Sequence, residues 1–456
     1  MKQKIIIVLD CGATNVRSVA INEKGEILAQ KSYPNNTHPD PNYKSGVIWD
    51  VDEIWSKLTK ATKEVISKIN KTEIVGITAT TFGVDGAPMK KSGELLYPVI
   101  SWVCQRTAPI MDNIDKYISP QKLYQINGVN KFSFNTINKF IWFKENKPEI
   151  LDRMDHFVFM PSILIHKLTG SFVTDTTMAG TSMMTDIKTR SFSTEILAAI
   201  GVDNKFPPMV EPGDIVGKIN ENVSKETGIP SGVLVIAAGH DTQFAIFGSG
   251  VKENEVVLSS GTWEILMART ANIQTSKDLM NQGVTIEFDA RPGLYNPGLQ
   301  WLGSGILEWI KKMFYYSEQN STNIYDLMIS EAEKLFSVET QNFVSPNIQN
   351  FMSLKLGIDF LNENGIISGI GIKTKREEIY LAALEALVHK TKQNLKILEQ
   401  AGGFTAESII VVGGGSKNKL WNQLREKELC IPVKTIDQKE TTVLGAAMVA
   451  FMGLAL

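Results

Sequence analysis

Histidine and cysteine are the scarce residues of this 456-residue chain, five and three in number. The cysteines, Cys11, Cys104 and Cys430, are far apart and lack metal-ligand spacing. That excludes a zinc cage and a disulfide framework and fits a reducing cytosol. Excess charge of one sign is also missing: 47 Lys and Arg stand against 49 Asp and Glu. With no long basic run, nucleic acid is excluded as a partner. Long apolar runs are absent too. The longest, Thr442 to Leu456, is too short to span a bilayer, carries Gly445 and Gly453, and reads as a buried core helix. Met1-Lys2-Gln3-Lys4 leads into a run of strand length and not into a signal-peptide core. The expected location is the cytoplasm, with no membrane partner.

The chain is too long for one core and suits two or three domains. A boundary fits near Gly250, giving units of 1–249 and 250–456.

The chemistry-bearing residues sit in polar turns after apolar runs. Val233 to Ala238 climbs to Gly239-His240-Asp241-Thr242-Gln243, and a helical pattern follows to Gly248. Such a turn lies at the carboxyl end of a strand, where open α/β sheets place ligands. Asp241 has two readings there, general base or helix cap. Ile5 to Leu9 and Val16 to Ile21 read as strands around Asp10-Cys11-Gly12-Ala13-Thr14-Asn15. A turn between strands can aim backbone N–H groups at a phosphate, and Asp10 can hold a divalent metal through water. An ordinary hairpin is the alternative. A helical pattern from Trp49 to Ile69 and a buried strand, Ile74 to Thr80, precede the turn Thr81 to Gly86. Asp85 and Arg106 are candidates for a polyhydroxylated ligand, since each makes two hydrogen bonds at fixed geometry. A surface ion pair is the alternative for both.

Asn113 to Leu168 reads as mostly helical and Gly170 to Thr185 as a hairpin. The second half repeats the opening: strand Glu255 to Leu258, turn Ser259-Ser260-Gly261-Thr262, strand Trp263 to Ala268. Trp301 to Phe314 reads as a helix and 320–350 as an irregular insertion. Arg376 to Gln400 is a long helix stopped by Gly402-Gly403. Ser408 to Val412 runs into Gly413-Gly414-Gly415-Ser416-Lys417-Asn418, a ligand loop or a flexible turn. Glu440-Thr441-Thr442 caps the last helix.

Taken together these turns resemble the FGGY family of carbohydrate kinases. Asp10 to Arg17 is similar to its first phosphate turn, Ser260-Gly261-Thr262 to its second and Gly413 to Asn418 to its adenosine loop. Asn135 to Phe143 fits one family signature; Gly365 to Gly369 with Glu378 to Glu385 fits the other. The resemblance implies two actin/hexokinase-like (ribonuclease H-like) α/β domains with a cleft between them. It implies ATP-dependent phosphorylation of a ketose, L-fuculose at O1, with rhamnulose, xylulose, ribulose and glycerol as the sister substrates. ATP and Mg2+ are the implied cofactors. Asp241 would be the base and Asp10 the metal's outer-shell partner. Gly12, Ala13, Thr14, Asn15, Arg17, Gly261, Thr262, Gly414, Gly415 and Asn418 would hold ATP. Gly83, Asp85, Arg106, His240, Gln243 and Asn296 would orient the sugar. Family members usually continue past the helix that finishes here at Leu456, so part of that helix is expected to lie uncovered unless a partner, a second copy included, covers it. An actin-like ATP-binding sensor or chaperone is the reading from another class.

Overall fold

The computed structural model describes residues 3–336, 346–349, 366–436 and 440–456. Two six-stranded sheets carry the fold. The first has the order Ile215–Lys218, Leu234–Ile236, Ile74–Thr81, Ile5–Cys11, Asn15–Asn22, Ile27–Pro34. Leu234–Ile236, Ile74–Thr81 and Ile5–Cys11 run parallel, and Asn15–Asn22 returns antiparallel with Asp10 opposite Arg17.

Ile5–Cys11 is buried along its whole length because both faces of the sheet are covered. Side chains alternate across a strand. Ile5, Ile7 and Leu9 pack on Ile54, Leu58 and Val65 of the helix Val51–Ile66. Ile6 and Val8 pack on Phe244, Val443, Ala447 and Ala450. The last helix, Thr441–Gly453, thus comes from the far end of the chain to cover the first sheet. Its core face is buried as expected, while Met448 and Met452 stand exposed on the outside.

The second sheet has the order Thr285–Phe288, Tyr295–Leu302, Trp263–Ala268, Val256–Ser260, Ile409–Val412, Val433–Thr435. Val256–Ser260 pairs antiparallel with Trp263–Ala268 and parallel with Ile409–Val412, so the hairpin of the first sheet has its counterpart here. The long helix Arg376–Gly402 ends at Gly403, whose φ of 62° is left-handed and suits glycine. Among the described residues no helix is long and apolar enough to cross a membrane.

Three local expectations are corrected. Gly170 to Thr185 is not a hairpin: Asp175 Oδ1 accepts from Thr177 N at 2.8 Å and caps a short helix, Thr176–Gly180. Trp301 belongs to the strand Tyr295–Leu302, and the helix begins only at Ser304, after Gly303. The stretch 320–350 contains a helix, Ile324–Phe336, which buries Ile324, Met328 and Ala332 at four-residue spacing. Residues 337–345 and 350, and Gly365 of the second signature, lie outside the described residues.

Candidate active site

Three parallel strands deliver their carboxyl ends to one edge. Ile5–Cys11 ends at Asp10 and Cys11, Ile74–Thr81 leads to Phe82-Gly83, and Leu234–Ile236 leads to Gly239-His240-Asp241. Backbone bonds lash these ends together, Thr81 N to Gly239 O at 2.9 Å and Phe82 N to Cys11 O at 3.3 Å. Gly83 lies against His240: a Cβ there would come within 2.8 Å of the imidazole Nε2.

Asp241 is not the helix cap. His240 occupies the cap position without a side-chain bond, and Asp241 is the first residue of the helix Asp241–Gly248. Its Oδ1 accepts from Thr242 N at 2.6 Å. No described residue pairs with its Oδ2. Enclosure by protein raises the Asp241 pKa and His240 opposes the rise, although 30% of the side chain stays open to solvent. The helix N-terminus adds a positive end beside the carboxylate.

A carboxylate from the second sheet closes on this turn. Glu287 Oε2 accepts from Gln243 Nε2 at 2.5 Å and lies 3.3 Å from His240 Nδ1. Burial disfavours protonated His240, but Glu287, with Asp241 and Asp175 behind it, outweighs burial and raises the pKa. Asn296 sits opposite Glu287 in the strand pair and donates to Ala268 O at 3.0 Å and Asp289 Oδ2 at 2.8 Å. The buried Gln243 Oε1 and Asn296 Oδ1 have no donor among the described residues. Buried polar atoms are rarely left so, and two unfilled acceptors suit the hydroxyls of a sugar. Sequence reasoning missed Glu287. Its signal was a lone acid among the strand residues Thr285-Ile286-Glu287-Phe288.

The Gly12–Asn15 turn is closed by Gly12 N donating to Asn15 O at 2.9 Å and is braced by Asn35, whose Nδ2 reaches Gly12 O at 2.9 Å. Thr14 and Asn15 are exposed and Ala13 is half-buried, so the turn faces outward. Asp10 lies beneath it and accepts from Arg17 Nε at 2.6 Å. Burial pushes the Asp10 pKa up to about 6; Arg17 resists, while Asp241 and Glu440 add to the rise. Glu440 does not cap the last helix with its side chain; it pairs with Arg17 instead. The guanidinium therefore bridges two carboxylates from opposite ends of the chain.

Among the described residues no three His, Cys, Asp or Glu side chains form a metal cage. Magnesium needs none: it commonly takes one or two carboxylates, its own waters and substrate phosphates. A single buried carboxylate whose proton affinity is raised, as Asp10 is, fits that pattern.

The second turn and the glycine loop are locked side by side. A Cβ on Gly413, whose φ is 87°, would lie 2.7 Å from Ser260 O, and one on Gly415 would lie 2.1 Å from Ser260 Oγ. Gly414 faces open space. Ser260 Oγ bonds Glu264 Oε1 at 3.0 Å and accepts from Arg425 Nη2 at 2.9 Å. Glu264 and Arg425 form a fully buried ion pair behind the loop, unforeseen from sequence. Gly261 O and Thr262 O accept from Ser304 N and Gly303 N at 2.9 and 2.8 Å, which ties this turn to the helix Ser304–Phe314. Asn418 is engaged elsewhere: its Oδ1 caps the next helix at Trp421 N, 3.0 Å, and its Nδ2 reaches the Tyr380 hydroxyl at 3.1 Å.

Asp85 and Arg106 do not stand free beside the turns. Asp85 is fully buried, paired with Lys139, and accepts from Trp49 Nε1 at 2.7 Å and Trp102 N at 3.0 Å. Arg106 pairs with Asp40 at 2.6 Å and lies over the rings of Tyr43 and Trp142. Both are internal ion pairs, neither surface pairs nor open ligand contacts.

Residues 5–248 match the N-terminal domain of the FGGY family of carbohydrate kinases and residues 256–454 its C-terminal domain. The chain is 45% identical to an L-fuculokinase of Escherichia coli K12 over 456 residues, 100% of this chain and 93% of that one. It is also 45% identical to an L-fuculokinase of Haemophilus influenzae, over 99% of this chain and 95% of that one. Its fold superposes on a xylulose kinase from Rhodospirillum rubrum with a TM-score of 0.87 at 17% identity, covering 99% and 90% of the two chains.

Proposed function

The chain belongs to the FGGY family of carbohydrate kinases, and from that premise we propose that it transfers the γ-phosphoryl group of ATP to O1 of L-fuculose in the cytoplasm. The products are L-fuculose 1-phosphate and ADP. The substrate follows from the likeness to L-fuculokinases along the full chain.

Phosphoryl transfer leaves little covalent work for the protein beyond positioning and neutralising charge. Asp241 accepts the proton of the sugar O1 hydroxyl as the O1–phosphorus bond forms and the bond to the β-phosphate oxygen breaks. The observation that carries this role is the state of Asp241 itself: first in its helix, with Oδ2 unpartnered among the described residues and a proton affinity raised by enclosure. A base poised nearer to neutral pH accepts a proton more readily than an ordinary carboxylate. His240, Gln243, Asn296 and Glu287 hold the ketose, and Gly83 leaves room for the imidazole. The turns Gly12 to Asn15 and Gly261-Thr262 hold phosphates, and Gly414 and Gly415 admit the adenosine. Arg17 offsets phosphate charge and keeps Asp10 ionised. Mg2+, when bound to the phosphates beside Asp10, supplies further neutralisation.

The test is Asp241→Asn, assayed by ADP release over a panel of ketoses and polyols. The variant should keep its affinity for ATP and sugar and lose about 10² to 10⁴ in turnover. Near-normal turnover would overturn the base assignment. A wild-type preference for rhamnulose, xylulose or ribulose would move the substrate while leaving the chemistry in place. ATP consumption indifferent to every sugar would favour the sensor or chaperone reading.

A further inference from the structure

Away from these groups, a cavity of about 480 Å3 opens where the two halves of the chain meet. Small organic ligands occupy cavities of that order, mostly apolar with a few placed polar groups. Tyr124, Asn130 and Lys131 line it from the first half, and Gln300, Lys390 and Asn394 from the second. Ile114, Leu123, Val129 and Leu299 add apolar wall, Asn281 and Gln282 add polar wall, and no Asp or Glu takes part.

Two of these groups lack partners among the described residues. The Tyr124 hydroxyl is buried without a hydrogen bond, in a side chain only 1% exposed. Lys390 is half-buried, and no described carboxylate pairs with it. Burial lowers its pKa. Asn394 lies one helical turn further along Arg376–Gly402, on the same face as Lys390. A cation lining a cavity that no described acid enters is complementary to an anion.

The cavity also adjoins the strands that reach the sugar turn. Asn130 Nδ2 donates to Met280 O at 2.8 Å, and Ile286 N donates to Gly128 O at 2.9 Å. Gly283, in the wall, leads directly into Thr285–Phe288, which carries Glu287. Gln300 lies on the same strand as Asn296, four residues on.

We propose that this cavity is a second binding site, for a small organic anion with an apolar body, and that its occupancy is felt at the sugar turn through the strands carrying Glu287 and Asn296. Lys390 makes the charge contact. The coupling, but not the binding, rests on the sugar-kinase reading.

The probe is 8-anilinonaphthalene-1-sulfonate, with the neutral N-phenyl-1-naphthylamine as its uncharged counterpart. Both are titrated by fluorescence against the full chain and the Lys390→Gln and Tyr124→Phe variants. The sulfonate should fill one saturable site per chain. Lys390→Gln should weaken it by about tenfold, as loss of a charge-assisted bond does, and leave the neutral probe within about twofold. Tyr124→Phe should leave the sulfonate within about twofold, because that hydroxyl is enclosed and a neutral hydrogen bond is worth little. Saturating sulfonate should change the KM for L-fuculose in the wild type and not in Lys390→Gln. Unchanged sulfonate affinity in Lys390→Gln, or no saturable site, would overturn the site. An unmoved KM despite a filled site would overturn the coupling. If no sugar is phosphorylated at all, the kinase reading has failed and the fluorescence titrations still decide the site.

Discussion

Gly248 and Gly445 meet at a helix crossing where neither has room for a Cβ. A methyl on Gly248 would lie 2.0 Å from Thr441 O, and one on Gly445 would lie 2.0 Å from Phe244 O. The first helix begins with Asp241, and the second follows Glu440, the partner of Arg17. The crossing therefore sets the spacing between Asp241, the proposed proton acceptor, and the Glu440–Arg17 pair beneath the Gly12–Asn15 turn. Gly445→Ala should force the helices apart. Overpacking of this kind costs about 1–3 kcal/mol, and a displacement of about 1 Å can cost on the order of 10² in rate. Denaturant unfolding and kcat on one preparation check both. A variant unchanged in stability and turnover would show that the backbone yields there freely.

The glycine loop permits a cleaner contrast. Gly415 abuts Ser260 and Trp421, whereas Gly414 meets nothing. Gly415→Ala should displace the loop, lower Tm and raise the KM for ATP. Gly414→Ala should leave Tm alone and raise the KM for ATP only by crowding the nucleotide. The KM for the sugar should stay within about twofold in both, since binding effects at separated sites are close to independent. If Gly414→Ala binds ATP like the wild type, adenosine does not lie against this loop.

Glu287 joins the second sheet to the Gly239–Gln243 turn through His240 and Gln243. Glu287→Gln should lower the His240 pKa, because the carboxylate is the main group raising it. NMR titration of the imidazole gives the direction. The linkage sign follows: with a folded pKa above the unfolded value of about 6.5, protonated His240 stabilises the fold fully below that value. The contribution is lost as pH rises through the folded pKa. Glu287→Gln should flatten that part of the stability profile and raise the KM for sugar with little change for ATP. An unmoved imidazole titration would sink the pairing.

The sequence made the turns legible because each places small and polar residues directly after a β-rich run, and that pattern survives without neighbours. Hence Asp10, Gly12 to Asn15, Gly261-Thr262 and the glycine triplet could be read locally. Long-range partners could not. Nothing around Glu440 marks it as the partner of Arg17, 423 residues away, and nothing around Glu287 marks it as the partner of His240. Asp85 and Arg106 misled for a related reason: a charged residue in a polar stretch looks available until Lys139 and Asp40 are seen to occupy it. The last helix read correctly as a core helix, but not that it covers the first sheet, since an apolar run does not name the surface it meets.

Asp10 offers the sharpest pH test. Its pKa of about 6 places an acid limb in kcat/KM near pH 6, where loss of charge weakens its hold on the metal's waters. Arg17 holds that pKa down and Glu440 pushes it up. Arg17→Gln should move the limb to higher pH, and Glu440→Gln should move it to lower pH. Added Mg2+ should also move it lower, because a cation held by the carboxylate competes with the proton. A limb set by Asp241, which only feels the charge at Asp10 from a distance, would respond less to magnesium and to either variant. Measuring kcat/KM from pH 5 to 8 at two magnesium concentrations, in wild type and both variants, separates the carboxylates. If neither variant displaces the limb and magnesium leaves it in place, Asp10 is not the group that titrates, and its part in metal binding falls with it.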